Sequence, residues 1–274
     1  MGAPYAEVIG DPIAHSKSPL IHRFWIDALG LDADYRATHV PPEELERHLA
    51  TRFGDPDWRG CNVTMPHKQA AAVLMGSAAV DAGRPTAINC IYRSSGSLIG
   101  CNFDVDALAG TVPLHDGQAP VVVLGSGGAA LAACEAIGRS RRQVTLIGRN
   151  RAQLEALQAF LPQILHIGDS ADAVRALTGA AGLINATPQG MRGFADVDAA
   201  LLAGLDRLGS GAFVYDMVYD PVETQLVRRA RALGLHAIGG LAMLLEQAAL
   251  SFERFFGVHA PRERDTELYA RLTS

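Results

Sequence analysis

The chain has 274 residues, 49% of them hydrophobic, enough for one large domain or two ordinary ones with a substantial core. A net charge of −5 with no extended basic run argues against a nucleic-acid-binding protein. No apolar stretch approaches the roughly 18 residues of a membrane span, and the start MGAPYAEVIGDP has neither the basic nor the apolar region of a signal peptide. The spacing of Cys61, Cys90, Cys101 and Cys134 suits no metal site, so reduced thiols in a cytoplasmic protein are expected.

The first hundred residues alternate short apolar runs with helical patterns. Tyr5 to Gly10 reads as a strand entering the loop GDPIAHSKSP. Pro19 to Leu29 reads as a helix, with Ser18 at its N-cap and Pro19 at its first position. Tyr35 to Val40 is a second strand, and Glu43 to Phe53 a helix ending at Gly54. Gly60 to Thr64 is a third strand, running into the turn Pro66-His67-Lys68. Ile88 to Arg93 and Ser97 to Asn102 form a hairpin through Ser94-Ser95-Gly96, which sets Cys90 across from Cys101.

The texture changes near residue 118. Pro120 to Gly125 is a continuous apolar strand of the kind buried in a parallel sheet. A small-residue helix, Gly128 to Ile137, follows. The run Arg139-Ser140-Arg141-Arg142 reads as a solvated helix end. Then come strand Gln143 to Ile147, helix Ala152 to Phe160, strand Leu183 to Asn185, strand Ala212 to Asp216 and helix Glu223 to Leu233. Strands alternating with helices imply βαβ units and a parallel sheet. The apolar helix Leu241 to Phe256 can pack back on the first domain. The expected fold class is therefore α/β with two domains, 1–107 with 239–274 and an inserted 108–238.

Lys68 and Asp104, on separate strand-and-loop segments, form a candidate proton-transfer pair; taken singly they read as a surface lysine and a helix cap. The turn Gly125-Ser126-Gly127-Gly128-Ala129-Ala130 fits G-x-G-x-x-A between a strand and a helix. There glycines admit a pyrophosphate and the helix N-terminus holds it. A proton-transfer pair beside a nicotinamide is what alcohol–ketone redox chemistry requires. After the next strand comes Gly148-Arg149-Asn150-Arg151, with no acid to grip ribose hydroxyls. An arginine there suits a 2′-phosphate and favours NADP over NAD. Ser16 and Ser18, ahead of a helix, suit a carboxylate site or ordinary capping, and alone favour capping. His15, His22 and His67 show no ligand spacing and read as structural or surface residues, with no metal expected.

Taken in order, these segments resemble the shikimate dehydrogenase family, which includes quinate/shikimate dehydrogenases. GDPIAHSKSP is similar to its G-x-P-x-x-H-S-x-S-P loop and NVTMPHK to its N-V-T-x-P-x-K motif. Ala87-Ile88-Asn89, Gly100-x-Asn102-x-Asp104, GSGGAA, NATPQGM from Asn185, DMVYDP from Asp216 and MLLEQA from Met243 continue the series. The resemblance implies an α/β substrate domain closed by C-terminal helices, an inserted NADP-binding Rossmann domain, and a cleft between them. It implies Ser16, Ser18 and Thr64 near a substrate carboxylate, and Lys68, Asn89 and Asp104 around the reacting hydroxyl. Tyr219 and Gln247 would complete the pocket. Arg149 and Asn150 would hold the 2′-phosphate, Thr187, Met191 and Gly240 would line the cofactor, and Met217 would lie near the nicotinamide.

The implied activity is reversible, NADP-dependent oxidation of shikimate to 3-dehydroshikimate in aromatic amino acid biosynthesis, by a monomer or homodimer. The alternatives are a quinate or other cyclohexane-carboxylate dehydrogenase, or a non-catalytic ligand sensor. Departures from the pattern are Phe103 and Cys90 where the family has threonine, Thr86 for glycine, Arg23 for asparagine, and Gly239 and Ala242 for aspartate and glycine. The Phe103 ring points either into the substrate cleft or into the core; if the strand runs that far, alternation favours the core, with Phe103 repacking the wall behind Asp104.

Overall fold

The computed structural model describes residues 2–76, 87–114 and 117–273; Thr86 lies outside them. The chain forms two compact units, Met1–Phe103 with Leu245–Ser274, and Asp104–Leu244. The expected boundaries fall at 108 and 239, whereas the units divide inside two helices, Phe103–Thr111 and Gly240–Phe256.

The first unit is built on β1 (Tyr5–Gly10), α1 (Ser18–Leu29), β2 (Asp34–His39), α2 (Leu45–Phe53), β3 (Trp58–Val63), α3 (Lys68–Met75) and the hairpin β4 (Cys90–Ser94) and β5 (Ser97–Cys101). Its five-stranded sheet has the order β2-β1-β3-β4-β5. The first three strands are parallel and the hairpin is antiparallel. Cys90 and Cys101 are cross-strand partners, as the hairpin predicts, and both are free thiols.

β1 is an interior strand, buried along its whole length, Glu7 included. Burial alone would raise the Glu7 carboxyl. Hydrogen bonds from His48 and Thr38, with the Arg52 charge, hold it below the usual range instead. The Trp58 indole donates to the same carboxylate at 3.0 Å. α1 starts one residue earlier than expected: Lys17 is its N-cap, and Ser18 is its first residue. The Ser18 amide donates to Ser16 Oγ, so Ser16 takes the hydroxyl part assigned to Ser18. The helix ends at Gly30, whose φ of 63° is the left-handed conformation that glycine adopts without strain.

The second unit opens in α4 (Phe103–Thr111) and continues through β6 (Val121–Leu124), α5 (Gly128–Arg139), β7 (Val144–Ile147), α6 (Arg151–Phe160), β8 (Ile164–Gly168), α7 (Ala173–Ala176) and β9 (Gly182–Asn185). It closes with α8 (Ala199–Ala203), β10 (Phe213–Asp216), α9 (Gln225–Ala232), β11 (His236–Ile238) and the start of α10 (Gly240–Phe256). Its six strands are all parallel, in the order β11-β10-β9-β6-β7-β8. Counted from β6 this is 3-2-1-4-5-6 read backwards, the doubly wound order whose reversal lies between β6 and β9. Arg142 is not part of a solvated helix end. It is 7% exposed and its guanidinium donates to the Ala119 carbonyl.

The later half of α10 and α11 (Asp265–Thr273) belong to the first unit. Phe252 and Phe255 of α10 join Trp25 and Tyr35 around His22. The His22 ring stacks on Tyr35 at 3.9 Å, and among the described residues neither ring nitrogen has a hydrogen-bond partner. No described helix is long and apolar enough to cross a membrane.

Burial pushes His22 down to about 3, so the folded protein holds a neutral imidazole. An unfolded histidine takes up a proton below about pH 6.5. Its contribution to stability is therefore full above that pH and is lost as pH falls toward 3. His22→Phe should flatten the fall in unfolding free energy between about pH 6 and 4, by up to about 1.4 kcal/mol per pH unit. Urea unfolding across that range measures it; a variant with the wild-type pH slope would contradict it.

Candidate functional site

In the first unit, the site residues gather at the carboxyl end of the parallel strands. β1 and β3 are neighbours running the same way, so the loops after Gly10 and after Val63 leave side by side. Backbone bonds tie these loops: Thr64 N–H to the Ile9 carbonyl at 3.0 Å and Asp11 N–H to the Met65 carbonyl at 3.1 Å. Gly10 is glycine for space, since a Cβ there would meet the Thr64 methyl at 2.5 Å. In the first loop, Lys17 Nζ donates to the Leu272 carbonyl of α11 at 2.6 Å, which anchors Ser16 and Ser18 on either side.

Lys68 is not in a turn; it is the first residue of α3 and half-buried. His67 fixes the helix start: its amide donates to the Thr64 carbonyl and its Nε2 lies 2.6 Å from the Val40 carbonyl. Because β4 runs against β3, its entry lies at the same end as the exit of β3. The Ile88 amide donates to the Lys68 carbonyl at 2.9 Å, setting Asn89 next to the start of α3. Asn89 is 2% exposed, and its Oδ1 accepts the Phe103 amide at 2.8 Å. Gln247 is buried in α10, one turn before Ser251, whose hydroxyl lies 3.3 Å from Asn62 Oδ1 at the end of β3. Tyr35 donates to that same oxygen at 2.6 Å.

Phe103 does not follow the strand argument. β5 ends at Cys101, and Phe103 opens α4, so alternation across a strand does not apply. It is buried all the same, at 7% exposure. Asp104 lies within the first turn of α4 rather than at its cap and is 3% exposed.

In the second unit the strand ends form a row. Ile147, Leu124, Asn185 and Asp216 are partners at one level across four adjacent strands. The turn after β6 contains Gly125, whose φ is 120° and where a Cβ would meet the Ala186 carbonyl oxygen at 2.9 Å. α5 begins at Gly128, with N-cap Gly127 and no side-chain cap. Its first amides thus have no hydroxyl or carboxylate of their own, and with Ala129 they form a cradle suited to phosphate. Ser126 Oγ donates to Gln153 Oε1 of α6 at 2.8 Å. After β7, Arg149 and Asn150 are exposed, and Asn150 caps α6 by accepting the Gln153 amide.

Thr187, Met191, Met217 and Tyr219 are half-buried on the loops after β9 and β10. Burial, and then the neighbouring Asp220 charge, raise the Tyr219 hydroxyl. Gly240 is buried, and a Cβ there would meet the Met217 carbonyl oxygen at 2.4 Å. Ser16, Ser18, Thr64, Lys68, Asn89 and Gln247 thus belong to the first unit, and Asp104, Tyr219 and the cofactor set to the second. Asn62, Asn185 and Asp216 stand in the sequence only as motif letters and strand residues, with no role attached. For Asn185 and Asp216 the available signal was a polar residue closing an otherwise apolar strand.

A doubly wound parallel sheet with a glycine turn beside its strand-order reversal is a Rossmann-type nucleotide-binding unit, joined here to a smaller α/β unit. Residues 8–91 match the shikimate dehydrogenase substrate binding domain, and residues 240–267 the shikimate 5′-dehydrogenase C-terminal domain. A shikimate dehydrogenase (NADP(+)) of Sphingopyxis alaskensis is 44% identical over 99% of this chain and 98% of its own. One from Rhodospirillum rubrum is 42% identical over 96% and 95%. Among solved structures, the shikimate 5-dehydrogenase of Thermus thermophilus in complex with NADP(H) and shikimate superposes with a TM-score of 0.81. It is 31% identical, over 98% of this chain and 99% of that one. The chain belongs to the shikimate dehydrogenase family.

Phe103→Thr should lower stability by about 3 kcal/mol, since it removes a buried ring and leaves a cavity. Urea unfolding measures this. A loss under about 0.5 kcal/mol would mean that the ring is not part of the packed interior.

Proposed function

We propose that this protein catalyses the reversible, NADP-dependent oxidation of shikimate to 3-dehydroshikimate. The carrying observation is the 44% identity over nearly the whole chain to an NADP-dependent shikimate dehydrogenase. The geometry supports it: motif residues stand at the carboxyl ends of both sheets, where ligands of open α/β sheets bind. The residues present fit a dinucleotide, since the turn at Gly125 has room for no side chain and α5 starts without a side-chain cap on its first amides. The bound cofactor supplies hydride acceptance at its nicotinamide.

The rest falls to the chain. Ser16, Ser18 and Thr64 hold the substrate carboxylate, with Gln247 of the same unit also binding substrate. Lys68 Nζ takes the proton from the hydroxyl being oxidised and returns it in the reverse direction, and Asp104 and Asn89 orient that hydroxyl. Gly125 to Ala129 admit the pyrophosphate at the start of α5. Arg149, with Asn150, reads the 2′-phosphate, an arginine fork being suited to three phosphate oxygens. Thr187, Met191, Met217 and Gly240 shape the nicotinamide end. The substrate domain is the first unit and the NADP domain the second, in a cytoplasmic enzyme.

Absorbance at the NADPH band on mixing the protein with NADP and shikimate tests this reading, with quinate and NAD as the other arms. Fastest turnover with shikimate and NADP is expected. Preference for quinate would shift the substrate assignment, and no turnover on any arm would refute a catalytic role.

Lys68→Ala should lower kcat by about 10²–10⁴-fold with a far smaller change in the shikimate dissociation constant. Steady-state rates and substrate titration check it; near-normal turnover would remove Lys68 as the acid–base. Arg149→Ala should weaken NADP binding by roughly 10–100-fold, the worth of hydrogen bonds to a charged group, and leave NAD unchanged. Equal losses for both cofactors would show that Arg149 does not read the 2′-phosphate.

A further inference from the structure

Two adjacent strands of the second unit end in side chains that bond to each other. β9 closes with Asn185 and β10 with Asp216, partners in register, and Asn185 Nδ2 donates to Asp216 Oδ1 at 2.9 Å. Each then organises its own loop. Asn185 Oδ1 accepts both the amide and the hydroxyl of Thr187, at 3.1 and 2.6 Å, and its Nδ2 also reaches the Gln189 carbonyl at 3.2 Å. Asp216 Oδ1 accepts the Val218 amide at 3.1 Å, and Oδ2 accepts the Thr224 hydroxyl at 2.6 Å. Thr224 in turn caps α9 by accepting the Val227 amide. The Met217 amide donates to the Asn185 carbonyl at 3.0 Å, so the two loops are also joined through backbone.

Asp216 is fully buried. A carboxylate is costly there unless its oxygens are satisfied. The three groups that face it all donate: an amide NH₂, a backbone N–H and a hydroxyl. Only an acceptor-only side chain answers all three at once. An asparagine would turn an NH₂ toward at least one donor, or make Thr224 give up its donated bond.

Granting the cofactor role of these loops proposed above, we infer that Asp216, acting through Asn185, is a positioning residue for the NADP site. It clamps the Thr187 loop to the Met217 loop and fixes both to α9. It touches no reacting atom; its effect is to hold the nicotinamide-end loops in one arrangement before the cofactor arrives, so that binding does not have to order them.

The test is Asp216→Asn, nearly isosteric and uncharged, read by NADPH fluorescence titration, initial rates and thermal melting. Roughly tenfold weaker NADPH binding is expected, matching the loss of a hydrogen bond to a charged group, with the KM for shikimate at saturating NADP within about twofold. Unchanged NADPH affinity would overturn the inference, and so would equal losses for cofactor and substrate, which indicate general unfolding. If Asp216→Asn does not fold, Thr224→Val and Thr224→Ser serve instead. The serine variant should retain wild-type NADPH affinity and the valine variant lose it, and identical behaviour of the two would overturn the inference. Wild-type protein that neither binds NADPH nor oxidises shikimate would instead refute the functional reading; active wild type with an unaffected Asp216→Asn would refute only the clamp.

Discussion

Strands that run in parallel must deliver all their following loops to one end of the sheet, and the rest of this molecule depends on that constraint. In the second unit the residues Ile147, Leu124, Asn185 and Asp216 stand level, so the Gly125 turn, the Arg149 loop and the Thr187 and Met217 loops rise from one edge. In the first unit β1 and β3 deliver the Ser16 and Thr64 loops together. The antiparallel hairpin brings Asn89 and Asn102 back to that same edge, because β4 enters and β5 leaves there. Residues far apart in sequence become neighbours through strand direction alone.

Direction places the loops, and buried polar groups fix them. Glu7, Asn62 and Asp216 are polar residues within buried strands, and each is 5% exposed or less. Each joins elements that packing alone would leave free to slide: Glu7 ties β2, α2 and β3 to β1; Asn62 ties Tyr35 and α10 to β3; Asp216 ties β9, β10 and α9. Such networks stabilise only when every member is satisfied, and then they specify one arrangement. The two units also differ in their response to acid. Neutral burial of His22 makes the first unit less stable as pH falls from about 6.5 toward 3. Burial raises Asp216 from 3.8 to about 6, so its contribution to the second unit has the opposite sign, full at low pH and lost as pH rises through about 6.

Much of this was legible in the sequence, and the parts that were not have physical reasons. Buried strands such as Val121–Leu124 stand out as continuous apolar runs, and helices with a clear buried stripe stand out by period. The strand His236–Ile238 and the helices Ala173–Ala176 and Ala199–Ala203 are too short to show one; neighbouring elements hold them. The helix after Lys68 was hidden because Lys68 reads as the end of a turn, while a tertiary bond from His67 to Val40 starts the helix there. Phe103 is buried as expected, but at the start of a helix rather than by alternation along a strand, since the strand ends at Cys101. The chemistry-bearing residues were visible as motifs, but the groups that hold them, such as Asn62 and Asp216, were not, since one polar letter in an apolar strand does not say what it bonds to.

Hydrogen–deuterium exchange of the full chain, alone, with NADP, and with shikimate and NADP together, tests most directly whether the carboxyl ends of both sheets are the binding surfaces. NADP alone should slow exchange at 125–130, 148–153, 186–191 and 217–219. Adding shikimate should extend protection to 11–18, 64–68, 89 and 102–104. Protection concentrated at the opposite ends of the strands, or none in these loops at saturating ligand, would contradict the account.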